Sequence, residues 1–249
     1  MGYQPPIVSL ALLHAGPERL PEHAALADPD FDWLHFDVAD GQFVPWLGIC
    51  PYTMRHVRRH ATGTFEVHLL AQAPERLVPQ VRAAGADLIS IHPQACAAPR
   101  DALRAIRASG AKAGVALSPD CTLERVRPLL AEADAVLVVT TSLEYDGSEF
   151  QPDMLQRVRA LRELREREGL AFLIEVDGGL TLASLGSAVE AGGDVFVVGR
   201  AVFGAGDPAF TLATFRAAVR GTTLEHTPDG VSRHPAAARP RIFKTRRAA

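Results

Sequence analysis

Trp33-Leu34-His35-Phe36-Asp37-Val38 is a short run rich in apolar and β-favouring residues, and it reads as a buried strand. Its period of two turns His35 and Asp37 toward one side. Seven comparable runs accompany it: Ile7 to Leu13, Thr64 to Leu70, Asp87 to His92, Lys112 to Leu117, Ala135 to Thr140, Ala171 to Val176 and Asp194 to Val198. Between them lie the amphipathic stretches Pro74 to Ala84, Pro99 to Ser109, Thr122 to Ala131, Pro152 to Glu168 and Leu182 to Ala191. Pro or Thr stands near their starts and Gly follows several ends, the punctuation of helix termini. Strand alternating with helix gives a parallel sheet. Eight such units in about 220 residues is the arithmetic of a closed (β/α)8 barrel, the TIM barrel of the α/β class. A doubly wound open sheet is the structural alternative.

The whole chain has 249 residues, a length that barrels reach as one domain. The barrel is expected over residues 1–221. From 222 to 249 the character changes: Pro228, Pro235 and Pro240 interrupt the segment, and Arg233, Arg239, Arg241, Lys244, Arg246 and Arg247 crowd its end. That stretch is expected to be a flexible basic tail. Lys and Arg number 26 against 29 Asp and Glu, a balance that points to neither nucleic acid nor a membrane surface as partner. Cys50, Cys96 and Cys121 lack the spacing of a disulfide framework or a structural zinc site, which fits a reducing, cytoplasmic setting. No apolar run is long enough to span a membrane, and no secretory leader is legible.

In barrels the working residues sit where the strands end. The second strand ends in His35-Phe36-Asp37, the third in Val67-His68, and the seventh in Glu175-Val176-Asp177 followed by Gly178-Gly179. Two imidazoles and two carboxylates thus converge from three strands, a mixed nitrogen and oxygen set that suits one divalent ion, zinc, iron(II), manganese or cobalt. Glu66 and Glu175 share the inward faces of their strands and are candidates for orienting those ligands. Asp40 reads as a turn residue. His56 and His60 stand four apart among Arg55, Arg58 and Arg59, the pattern of a solvated helix face.

The segment from Trp33 to Pro45 resembles the signature of the ribulose-phosphate 3-epimerase family, as do Val67-His68-Leu69, Gly114-Val115-Ala116-Leu117 and Glu175-Val176-Asp177-Gly178-Gly179. The similarity runs from about Ile7 to Gly221. Related decarboxylases and synthases carry a lysine in an Asp-x-Lys motif on the third strand, where this chain has His68. The resemblance implies that His35, Asp37, His68 and Asp177 bind the metal. Asp37 and Asp177 would also be the two acid/base groups, inverting the carbon beside the ketone of a ketose phosphate through an enediolate. His14, His92, Gly178, Gly179, Gly199 and Arg200 are expected to contact the substrate. Partners are then a small sugar or sugar phosphate and further copies of the chain in a homo-oligomer.

The chain departs from the family pattern at several places. Ala11 stands where the family has a serine, and Ala39, Leu70 and Val139 where it has methionines. After the sixth strand, a glycine-rich phosphate loop is replaced by Ser142-Leu143-Glu144-Tyr145-Asp146-Gly147-Ser148-Glu149, whose carboxylates are expected to disfavour a phosphate, the alternative being that the loop is solvated surface and Arg200 a salt-bridge partner. Two alternatives follow: a specialised paralog acting on an unphosphorylated or otherwise modified sugar, and a non-catalytic barrel that keeps the metal and binds a metabolite or protein.

Overall fold

The computed structural model describes residues 6–144, 149–227 and 230–235. Eight strands, β1 (Ile7–Ala11), β2 (Asp32–Ala39), β3 (Thr64–Leu70), β4 (Leu88–Ile91), β5 (Lys112–Leu117), β6 (Ala135–Val139), β7 (Leu173–Asp177) and β8 (Val195–Val198), pair in parallel in chain order. β1 pairs with both β2 and β8, so the sheet closes into a (β/α)8 barrel and the open sheet is excluded.

Helices α1 (Leu20–Ala24), α2 (Pro51–Arg58), α3 (Val78–Ala83), α4 (Pro99–Ala108), α5 (Leu123–Val126), α6 (Leu155–Glu168), α7 (Leu182–Ala191), α8 (Arg200–Phe203) and α9 (Pro208–Val219) surround it. Their ends follow the local chemistry. Thr181 and Ser184 cap α7 reciprocally, and Gly169 closes α6 in a left-handed conformation. Three expected helices are shorter than their amphipathic stretches by more than one residue, the one from Pro152 entering α6 through a 3-10 turn over Pro152–Met154. The one expected over Thr122 to Ala131 is α-helical only to Val126 and continues as a 3-10 turn, because Pro128 has no N–H to donate. The one expected from Pro74 likewise divides ahead of Pro79, with α3 beginning at Val78.

The inward positions of the strands form layers. At the N-terminal ends Ile7, Trp33, Leu88, Ala135 and Val195 make a buried apolar plug with Leu173 packed against it. Two residues further along, Ser9, His35, Glu66, Ser90 and Glu175 form a polar layer with no solvent exposure. Another two residues bring Asp37, His68 and Asp177 to the C-terminal mouth. The period of two therefore carries an apolar layer, a polar layer and the His/Asp group at the mouth up the same inner wall.

Within the stretch expected as a basic tail, β9 (Thr222–Thr227) and β10 (Gly230–Pro235) pair antiparallel as a separate sheet. Pro235 is the last residue of β10, where a missing N–H is tolerated. The remaining basic residues, Arg239 to Arg247, lie outside the described residues. All three cysteines are free, Cys50 exposed, Cys96 and Cys121 buried. No helix among the described residues is long and apolar enough to cross a membrane.

Candidate active site

Strand register assembles the site. β2 and β3 pair so that His35 lies beside Glu66 and Asp37 beside His68, while Asp177 ends β7. One ligand atom from each of His35, Asp37, His68 and Asp177 lies within 4.8 Å of the other three. His35 Nε2 and His68 Nδ1 are each 3.2 Å from Asp37 Oδ1. They are 3.9 Å and 3.5 Å from Asp177 Oδ2. Four atoms about 2.1 Å from one tetrahedral centre lie about 3.4 Å apart, so this set fits a single divalent ion. Both imidazoles are buried, and the two carboxylates are partly open to the mouth.

The residues behind the ligands set which ring nitrogen is offered. Glu66 Oε2 accepts a hydrogen bond from His35 Nδ1, so that Nε2 is the nitrogen turned to the cluster and the one that would bind an ion once its proton has left. His68 presents Nδ1, and its Nε2 lies 2.8 Å from His92 Nε2. Burial works against a charge on His35, but Glu66, Asp37 and Asp177 outweigh it and raise its pKa well above the ordinary histidine value. The same opposition lifts His68 to about 9, with hydrogen bonds to Asp177 and Asp37 prevailing over burial. Burial would raise the Asp37 carboxyl, yet the charge of His35 and bonds to both imidazoles hold it well below the usual carboxylate range. Four groups arranged to want a cation is what a metal centre looks like before the protons leave. Glu175 is pushed up by burial and then by the neighbouring Glu66, which favours its protonated form.

A cavity of about 90 Å³ opens above the cluster. Asp37, His68 and Asp177 line it together with His14, Gly178, Gly179, Gly199 and Arg200, which places five of the six expected substrate contacts at its wall. The sixth, His92, requires correction. It has no solvent exposure and does not line the cavity, because it packs behind His68 with its ring 4.8 Å from that of Phe43. Burial and then His68 lower its pKa, so it stays neutral. Gly178 and Gly179 adopt φ values of 114° and 67°, and a Cβ on either would strike Thr141 or Phe150.

The acidic loop also needs correction. Its Ser142 and Leu143 line the cavity, whereas Glu144 and Glu149 are exposed and do not. Glu149 instead faces a neighbouring groove that Arg200 also lines, and Asp146 lies outside the described residues. Of the three positions that replace methionines, Leu70 and Val139 line the cavity and Ala39 does not. Asp40 is a turn residue as expected, accepting from the amides of Gln42, Phe43 and Gln72. His56 and His60 are both exposed, although α2 ends at Arg58 and His60 lies past it. Several lining residues escaped the strand-end reading, among them Thr141, Leu180 and Trp46. Trp46 sits in the loop after β2, and an indole within a turn was the available signal.

Fold and site together define a TIM barrel whose mouth carries two histidines and two aspartates placed so that they could hold a metal ion. The ribulose-phosphate 3 epimerase family model matches residues 7–203, and the chain belongs to that family of isomerases. Among curated relatives, ribulose-phosphate 3-epimerase of Mycobacterium tuberculosis is 37% identical over 211 residues, covering 85% of this chain and 92% of the relative. The Synechocystis enzyme of that name is 37% identical over 213 residues, covering 84% and 93%. Among solved structures, orotidine 5'-phosphate decarboxylase from Pyrococcus horikoshii superposes with a TM-score of 0.64 at 19% identity. It covers 86% of this chain and 99% of that one, a likeness of fold alone.

Proposed function

We propose that the protein is a metal-dependent epimerase that inverts carbon 3 of a ketose phosphate, with D-ribulose 5-phosphate and D-xylulose 5-phosphate as the interconverted pair. The observation that carries this reading is the placement of Asp37 and Asp177. They come from strands three apart around the barrel, and both are partly open to one cavity. Inversion needs a base on one face of a planar intermediate and an acid on the other. Asp37, held ionised by its imidazole neighbours, takes the proton from carbon 3, and the electron pair of that C–H bond passes to the ketone oxygen. Asp177 then gives a proton to the opposite face, forming the new C–H bond. The reverse reaction exchanges the two roles. His35, Asp37, His68 and Asp177 would hold a divalent ion, and when bound it would supply positive charge that stabilises the negative charge developing on the substrate oxygens. Gly178, Gly179, Gly199 and Arg200 lie on the side of the cavity toward which the phosphate would point, and Arg200 supplies a cation there.

The test is conversion of D-ribulose 5-phosphate by metal-free protein reconstituted in turn with zinc, iron(II), manganese and cobalt. Turnover at about 1–10³ s⁻¹ with at least one ion is expected. No conversion with any of the four would reject this reading.

A further inference from the structure

β2 and β6 are four strands apart in either direction around the closed barrel, so the loops that follow them face each other across its mouth. Among the described residues a hydrogen bond spans that distance: Trp46 Nε1 donates to the Leu143 carbonyl at 3.1 Å. Both ends of the span are anchored. The Trp46 loop folds back on β2, with Leu47 bridging Asp40, Gly48 N donating to Ala39 O and Ile49 N to Asp37 O. A Cβ on Gly48 would stand 2.3 Å from the Asp37 carbonyl, so glycine is what allows the loop to lie so close. The Leu143 side chain packs down onto Ala116, Leu137 and Val139 at the top of the barrel interior.

We propose that Trp46 is a specificity-determining residue whose indole, tied to Leu143, roofs the metal-ligand cluster and limits the length and bulk of the ketose placed beneath it. The cavity under this strap, about 90 Å³, is well below the roughly 300–1,000 Å³ usual for ligand sites. The strap must therefore lift when a sugar phosphate arrives. Away from the indole the cavity is walled by His14, Gly179, Gly199 and Arg200, so on this proposal the reacting carbons lie under the indole and the chain runs toward β7 and β8. This inference rests on the epimerase reading above.

Two measurements on the full-length chain test it, with Trp46→Ala and Trp46→Phe. The first is the rate at which metal-free protein takes up cobalt(II), followed by visible absorption. The second is the ratio of kcat/KM for a hexulose phosphate to that for a pentulose phosphate. Trp46→Ala should take up cobalt several-fold faster and raise the ratio about tenfold, the discrimination one methylene usually commands. Trp46→Phe, which keeps a ring but loses the donor, should speed uptake while holding the ratio near that of the wild type. An uptake rate and a size ratio in Trp46→Ala equal to those of the wild type would overturn the proposal. If wild type binds no cobalt and converts no substrate, the epimerase reading falls and this inference falls with it.

Discussion

The two ends of the barrel interior are built from the same eight strands and differ in what the inner wall carries. At the N-terminal end Ile7, Trp33, Leu88, Ala135, Leu173 and Val195 exclude water and hold the strands together. Four residues up the same strands, Asp37, His68 and Asp177 crowd like charges and buried imidazoles into one small volume. The first end gains free energy from burial, while the second spends some of it on a site that is comfortable only with a cation present. Stability and chemistry are thus separated along the barrel axis, and substitutions at the two ends should fail in different ways.

The largest effect is expected at the mouth. Asp37→Asn and Asp177→Asn should each lower kcat for epimerisation by a factor of about 10³ or more, since either leaves one face without its proton carrier. In the metal-free state both variants should melt below the wild type at neutral pH, because each removes a carboxylate that balances the buried imidazoles. Steady-state kinetics and thermal unfolding decide this, and near wild-type turnover in either variant would break the two-carboxylate assignment. Leu88→Ala in the plug should do the reverse, costing about 2–5 kcal/mol of stability by denaturant unfolding while the folded fraction keeps its kcat. A large loss of kcat there would show that the two ends are not independent.

A smaller effect is expected in the polar layer between them. Glu66→Gln removes the carboxylate that fixes the His35 tautomer, and metal affinity should fall about 10–100-fold by competition with a chelator. Unchanged affinity would mean that Glu66 only fills space. The pH response sharpens the same point. His68 has a pKa of about 9 without metal, so it must lose a proton to serve as a ligand, and metal binding competes with protonation. Affinity should therefore rise with pH, by about tenfold per unit for each proton displaced, and level off as pH passes about 9. Affinity independent of pH between 6 and 8 would place the metal elsewhere.

Much of this was legible in the chain before any coordinates. Eight apolar runs at regular spacing identify the barrel, because burying both faces of a parallel sheet leaves a pattern within each strand. That His35, Asp37, His68 and Asp177 gather at one mouth was legible because they stand at strand ends in a recognisable signature. His92 misled because its position at the end of β4 says nothing about depth: its ring turns behind His68 instead of into the cavity. For the acidic loop the sequence left open whether its carboxylates reach the substrate or are solvated surface, and Glu144 and Glu149 belong to the right connection but do not line the cavity.

What the sequence determined alone is whatever depends on neighbours a few residues away: strand and helix, the inward face of each strand, the caps, and the residue types gathered at each strand end. What only the tertiary structure decided are the pairings between distant segments. The His35–Glu66 contact depends on the register of β2 against β3. The bond from Trp46 to Leu143 joins residues 97 apart in the chain and exists because closing the sheet brings opposite loops over one mouth. Local periodicity is set by the geometry of a single segment, whereas register and closure are set by the packing of all eight, and no short stretch of residues encodes them.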